Sequence, residues 1–153
     1  MTYRPFQHKD ELPVVRLLRL AFGGTAEGIV GYLDTMDRAN VRVLERDGTV
    51  VATAARVPMG QYFGGRSVPM TGIASVGVAP EARGRGAARA LMESVVREIA
   101  SEGTALSSLY PSTQALYRQV GYEQAGSRYH IQATLRDLAI LRGEGRGRTV
   151  SVL

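Results

Sequence analysis

Between Asp10 and Phe22 the apolar residues Leu12, Val15, Leu18 and Phe22 recur at the spacing of an amphipathic helix. Asp10 predicts an N-cap, and Pro13 falls in the first turn, where a missing N–H costs little. Gly23-Gly24 ends this helix. Thr25 then caps a second one carrying Ile29, Leu33 and Met36, although Gly28 and Gly31 lower its intrinsic propensity. Strand chemistry follows. The runs from Val41 to Glu45 and from Val50 to Ala54 flank Asp47-Gly48, a hairpin-turn dipeptide. Gly64-Gly65 separates them from a third apolar run, Val68 to Val78, and the three predict an antiparallel meander.

After Pro80 the period returns to that of a helix, over residues 86–102. Ala88, Leu91, Met92, Val95, Val96 and Ile99 form its apolar stripe, with Arg89–Glu93 and Glu93–Arg97 as four-apart charge pairs on the other side. Gly103 is placed as the C′ residue. Thr104 to Leu109 predicts a short buried strand, Ser112 to Val120 a short helix stopped by Gly121, and Tyr129 to Leu135 a final alternating strand. The Gly- and Arg-rich stretch from Arg142 to Arg148 reads as a loose tail or linker. A strand, a long helix and a second strand in succession place the two strands parallel, with the helix across one face. The fold class is therefore α/β, an α+β mixed sheet.

The chemistry concentrates where the third strand gives way to the long helix, from Val76-Gly77-Val78 through Arg83-Gly84-Arg85-Gly86-Ala87-Ala88-Arg89. A helix N-terminus presents unpaired N–H groups and the positive end of a dipole. Gly84 and Gly86 remove side chains that would block close approach, and Arg83, Arg85 and Arg89 add charge. Together they form a pyrophosphate cradle. A dinucleotide fingerprint fails here because Arg89 stands where a third glycine is needed. A P-loop fails because the only lysine is Lys9.

Composition narrows the ligand class. A chain of 153 residues with 44% hydrophobic and 22% charged positions suits one globular core. With no cysteine and only His8 and His130 there is neither a disulfide framework nor the usual zinc ligand set, and no metal is expected. The net charge of +5 is carried almost entirely by arginine, which suits phosphate, either on one small ligand or on nucleic acid. Trp is absent and Phe numbers three, so the interleaved aromatics of a nucleic-acid surface are missing. No signal core or membrane-length apolar run is present, and a cytoplasmic location is expected.

The hexapeptide Arg83 to Ala88 has the form Arg-x-x-Gly-x-Gly/Ala with its Val-x-Val-x-Pro lead-in. Together with the later Leu116-Tyr117-Arg118-Gln119-Val120-Gly121-Tyr122, it resembles the two signatures of the GNAT superfamily of N-acetyltransferases. Ala79-Pro80 with its arginine-rich loop, Tyr117 with Gly121-Tyr122, and the small-residue run from Ser107 to Ser112 are similar to the first domain of the enhanced-intracellular-survival-type (Eis-like) acetyltransferases, over roughly residues 1–138. The expected organisation is a GNAT domain over residues 1–138 and a tail or truncated linker over 139–153.

The resemblance implies a GNAT-like fold, its central meander ending in a parallel strand pair splayed around coenzyme A. It implies acetyl-CoA as co-substrate, with main-chain groups of Val76, Gly77 and Val78 pairing with the pantetheine arm. Arg83, Gly84, Arg85, Gly86, Ala87, Ala88 and Arg89 hold the pyrophosphate, and Ser112 and Thr113 touch the coenzyme. Tyr117 is the implied general acid, protonating the thiolate that leaves; Tyr122 is structural. The acceptor is a small-molecule amine or a protein lysine; no nucleic acid and no membrane is expected, and a homo-oligomer is left open. The sequence departs from many superfamily members in having no Asp, Glu or His from Gly72 to Ala79. The family resembled has its base at a far C-terminal carboxylate. A non-catalytic acyl-CoA-binding regulatory module is therefore the alternative. Glu27, Asp34 and Asp37 are candidates for attracting a cationic amine.

Overall fold

Four consecutive residues of the strand Val41–Arg46 are buried, as are residues 50–55 of the next strand, so this sheet is covered on both faces. The computed structural model describes residues 1–127, 130, 132–134 and 136. The chain divides into two compact units, Met1–Glu123 and Gln124–Leu153, and all the elements below lie in the first. They are β1 (Thr2–Pro5), α1 (Glu11–Phe22), α2 (Ala26–Met36), β2 (Val41–Arg46), β3 (Thr49–Phe63), β4 (Arg66–Val78), α3 (Ala87–Ser101), β5 (Leu106–Leu109) and α4 (Gln114–Arg118).

The sheet runs in order β1-β2-β3-β4-β5. All neighbours are antiparallel except β4 and β5, which are parallel. The mixed sheet is the expected one, and the predicted three-strand meander is β2, β3 and β4. Asp47-Gly48 and Gly64-Gly65 both turn with positive φ, the condition for tight hairpins. β1 was not predicted. It is four residues long, holds Pro5, and forms the edge, where the pattern carries little signal.

Two sets of side chains define the faces. Thr53 and Gly77 lie opposite each other, and a Cβ on Gly77 would meet Leu18 and Ala21 of α1. Arg42 and Arg56 point the other way and reach Glu98 on α3. Thus α1 and α2 cover one face and α3 the other. The core joins Val14, Leu18 and Leu33 from the first layer to Leu91, Met92 and Val95 from the second, through Val43 and Ala54 between them.

The predicted stripe of α1 is corrected by the structure. Val14, Val15, Leu17 and Leu18 are buried, whereas Leu12 and Phe22 are 83% and 64% exposed. Val15 and Leu18 of the predicted stripe are thus in the core, while Leu12 and Phe22 are replaced there by Val14 and Leu17, which contact with the sheet selects. Asp10 stands at the N-cap position without a capping bond. Its buried carboxylate instead accepts from both Arg4 Nη1 (2.6 Å) and Nη2 (2.8 Å) and from the Gln7 amide (2.7 Å). Thr25 does cap α2, accepting from the Gly28 amide. Of the predicted last strand, Tyr129, Ile131 and Leu135 lie outside the described residues, and the described His130 and residues 132–134 form no strand. The tail over 139–153 also lies outside them.

Behind α3, Glu98 gathers three partners. Arg42 donates from Nε and Nη2 (2.9 and 2.7 Å), Arg56 lies 2.7 Å away, and the Tyr3 hydroxyl donates to it. One carboxylate therefore joins the long helix to β1, β2 and β3. Burial acts to raise the Glu98 carboxyl, but the bonds from Arg42 and Tyr3 hold it below the usual value.

Candidate active site

The parallel pair β4–β5 is short. It begins at Met70↔Leu106 and ends at Ile73↔Leu109. β4 continues to Val78 with β3 alone as partner, while β5 stops and the chain leaves through Tyr110 and Pro111. Beyond Ile73 the two strands part, and that edge of residues 74–78 faces no strand among the described residues. This is the splayed pair the sequence predicts.

A bulge lies at the parting point. The β3 register passes from Ala55↔Ala74 to Thr53↔Gly77, so Ser75 and Val76 together oppose Ala54. Ser75 takes the left-handed conformation, φ 54°, which costs a non-glycine residue about 1 kcal/mol. Its side chain turns to the α1–α2 face, where Oγ lies 2.8 Å from the hydroxyl of Tyr32 on α2. Neither residue was singled out from the sequence, since a bulge and a contact across 43 positions leave no local pattern.

From Val78 the chain makes a 3-10 turn over Pro80–Ala82 and enters the glycine loop. Gly84 and Gly86 both have positive φ (68° and 76°), and a Cβ on either would meet open space, so backbone conformation rather than crowding is what glycine provides there. Gly86 is the N-cap of α3, and its carbonyl accepts from the Ala90 amide at 2.9 Å. Ala87 is buried beneath the helix start, Ala88 half-buried. Arg83, Arg85 and Arg89 are exposed. Arg83 Nε donates to the Val78 carbonyl (3.3 Å), Arg89 pairs with Glu93 (2.7 Å), and Arg46 donates to the Arg85 carbonyl (3.3 Å). The Arg85 side chain is left exposed beside the start of α3.

Ser112 and Thr113 are exposed, and Thr113 is the N-cap of α4 without a side-chain capping bond. Tyr117 is 6% exposed, and its ring meets that of Tyr122 edge-on at 6.3 Å. Among the described residues its hydroxyl makes no hydrogen bond. Burial, and Tyr122 beside it, push the phenol above its usual value, so it stays protonated at neutral pH and is suited to give a proton rather than take one. The Tyr122 hydroxyl contacts Ser107 Oγ (2.6 Å), which donates to the Thr71 carbonyl (2.9 Å). Ser107 pairs with Thr71, next to Gly72 and on the α3 face, so Tyr122 and its neighbour belong to the side of the sheet opposite Ser75. An open cavity of about 310 Å³ on that side is lined by Val96, Ile99, Leu106 and Tyr122 among others.

Of the acidic candidates, Asp34 pairs with Arg38, and Asp37 accepts from the Ala39 amide (3.0 Å). Glu27 is exposed in the first turn of α2. Among the described residues no group of carboxylates and histidines is arranged to hold a metal, and no helix is long and apolar enough to cross a membrane.

A mixed sheet opened at one end, with a glycine loop leading into a long helix beside the opening, is the arrangement of one domain family. The chain belongs to it: the family model for the acetyltransferase (GNAT) domain matches residues 2–125. Among solved structures, a GCN5-related N-acetyltransferase from Anabaena variabilis is 40% identical (TM-score 0.78), over 82% of this chain and 32% of that one. A GCN5-related N-acetyltransferase from Kribbella flavida is 33% identical (TM-score 0.74), over 80% and 32%. The chain thus spans about a third of the length of these relatives. A predicted acetyltransferase with acetyl-CoA from Clostridium acetobutylicum shares the fold at 17% identity (TM-score 0.69), over 86% and 95%. No curated protein matches the sequence.

Proposed function

We propose that the chain binds acetyl-CoA and transfers its acetyl group to a primary amine, a small cationic amine or a lysine side chain, by direct attack. The carrying observation is that the edge of residues 74–78, which past Ile73↔Leu109 faces no strand among the described residues, leads through the turn Pro80–Ala82 into the open loop Gly84–Gly86 and the start of α3. The main chain of Val76, Gly77 and Val78 takes the amide groups of the pantetheine arm as an added strand. Arg83 to Arg89 take the pyrophosphate, and Ser112 and Thr113 line the far wall. Attack of the amine forms a C–N bond and breaks the C–S bond. Tyr117 gives its proton to the departing sulfur and recovers one from water.

The likeness to Eis-like enzymes belongs to this reading. It is supported by Ala79-Pro80 with the arginine-rich loop, by Tyr117 with Gly121-Tyr122 and by the run from Ser107 to Ser112. The alternative, a coenzyme-binding module without turnover, is favoured by the lack of any acid or histidine on β4. Calorimetry with acetyl-CoA, followed by thiol release with a polyamine, an aminoglycoside and a lysine peptide, separates the two. Binding with turnover supports transfer. Binding without turnover on any amine supports the module, and no binding defeats both.

A further inference from the structure

On the α3 side of the sheet Tyr117 offers a buried phenol, but among the described residues neither β4 nor β5 carries an acid or a histidine. On α2, Asp34 is paired with Arg38 and Glu27 is exposed in the first turn, and Asp37 at its C-terminal end accepts from a backbone amide. An amine that attacks as a neutral nucleophile becomes cationic as the C–N bond forms, and its extra proton must leave. On the α2 face the opening holds two hydroxyls in contact. Ser75 Oγ and Tyr32 OH lie 2.8 Å apart, each able to accept one hydrogen bond while donating another. Ser75 stands two residues past Ile73, where β5 departs, and one before Val76. The bulge and its positive φ aim the side chain away from the strand ladder and toward α2. Tyr32 is 40% exposed, so its hydroxyl continues the chain into water.

We infer that Ser75 and Tyr32 form the exit route for the proton released by the attacking amine. This rests on the acetyl-transfer reading above. As the C–N bond forms, the amine N–H proton passes to Ser75 Oγ, the Ser75 hydroxyl proton passes to Tyr32, and the Tyr32 proton passes to water. Each hydroxyl ends with one proton, as it began. The leaving sulfur takes its proton separately, from Tyr117 on the opposite face, so donor and acceptor routes do not compete. Transfer here relies on water as the final acceptor, and the two hydroxyls in contact hand the proton on to it.

Tyr32→Phe removes one oxygen from the route and keeps the ring. Ser75→Gly removes the other and suits the positive φ. Each is assayed for acetyl-CoA affinity, and for kcat/KM toward a polyamine and a lysine peptide at fixed pH over increasing buffer-base concentration. The expected result is unchanged coenzyme affinity and a fall in kcat/KM of about ten-fold in either variant. The double variant falls no further, because one route is already broken. Imidazole buffer restores the variants while leaving the wild type unaffected. An unchanged kcat/KM, a loss that no buffer base restores, or multiplying losses in the double variant would overturn the route while leaving acetyl transfer standing. A wild-type chain that binds no acetyl-CoA would remove the underlying reading, and this one with it.

Discussion

The Tyr122 hydroxyl sits 2.6 Å from Ser107 Oγ, and that contact fastens the segment after α4 to β5. Tyr122 in turn presses its ring against Tyr117. The phenol assigned to proton donation is thus placed by a serine on the strand that forms one wall of the opening. The order Leu116-Tyr117 followed by Gly121-Tyr122 has a mechanical reason. Gly121, with φ 95°, turns the chain back so that the second tyrosine returns to the first, and the Tyr122 amide closes the turn on the Tyr117 carbonyl (3.1 Å).

Tyr122→Phe removes this anchor but keeps the ring contact. It should lower stability by about 1 kcal/mol and reduce kcat only a few-fold. Urea unfolding and steady-state rates check both.

Tyr117→Phe should cut kcat at least ten-fold with acetyl-CoA affinity unchanged. Because burial raises the phenol, the wild-type rate should not fall through loss of this proton until above pH 10, beyond its usual titration. A pH–rate profile that lost a limb near neutrality and kept it in the variant would show that another group titrates.

Arg85→Ala removes an exposed guanidinium from the loop, and Gly86→Ala puts a Cβ on a residue with φ 76°. The first should weaken acetyl-CoA binding about five- to ten-fold, an effect shrinking in high salt, without changing stability. The second should cost about 1 kcal/mol of stability and weaken binding as well. Calorimetry alongside thermal unfolding distinguishes them.

Glu98→Ala strands Arg42, which is 8% exposed. Removing one partner of a buried pair is strongly destabilising, and with Glu98 itself partly accessible about 2–3 kcal/mol is expected. The same carboxylate, and Asp10 held low by Arg4, set the acid response. Both titrate lower in the folded chain than in the unfolded chain, so the unfolded state binds more protons as pH falls. Their stabilisation is present in full above the unfolded carboxylate range. It is lost progressively below about pH 4, which urea titrations at stepped pH would follow.

The loop from Val76 to Arg89 was legible because it is local: glycine positions, arginines and a helix start all lie within a few residues of each other. The meander and α3 were legible because periodicity and turn dipeptides agree there. The stripe of α1 was half legible: Val15 and Leu18 are buried, whereas Leu12 and Phe22 have the right spacing but are exposed. β3 runs on to Phe63 through Pro58 and Gly60, residues that read as breakers; Pro58 sits past Val41↔Ala55, where β2 no longer needs its N–H. Arg42 reads as a surface charge on a strand and is buried only because Glu98, 56 positions away, meets it. The Ser75–Tyr32 contact has the same character: two ordinary residues that acquire a role through a bulge and a helix that the sequence does not connect.

Amide hydrogen exchange, resolved residue by residue with and without acetyl-CoA, tests the central claim most directly. The account predicts slowed exchange at Val76, Val78 and residues 84–88 on adding the coenzyme, with residues 70–73, already paired to β5, unchanged. Saturating acetyl-CoA that leaves those amides exchanging as before, or protects a different face of the sheet, would contradict it.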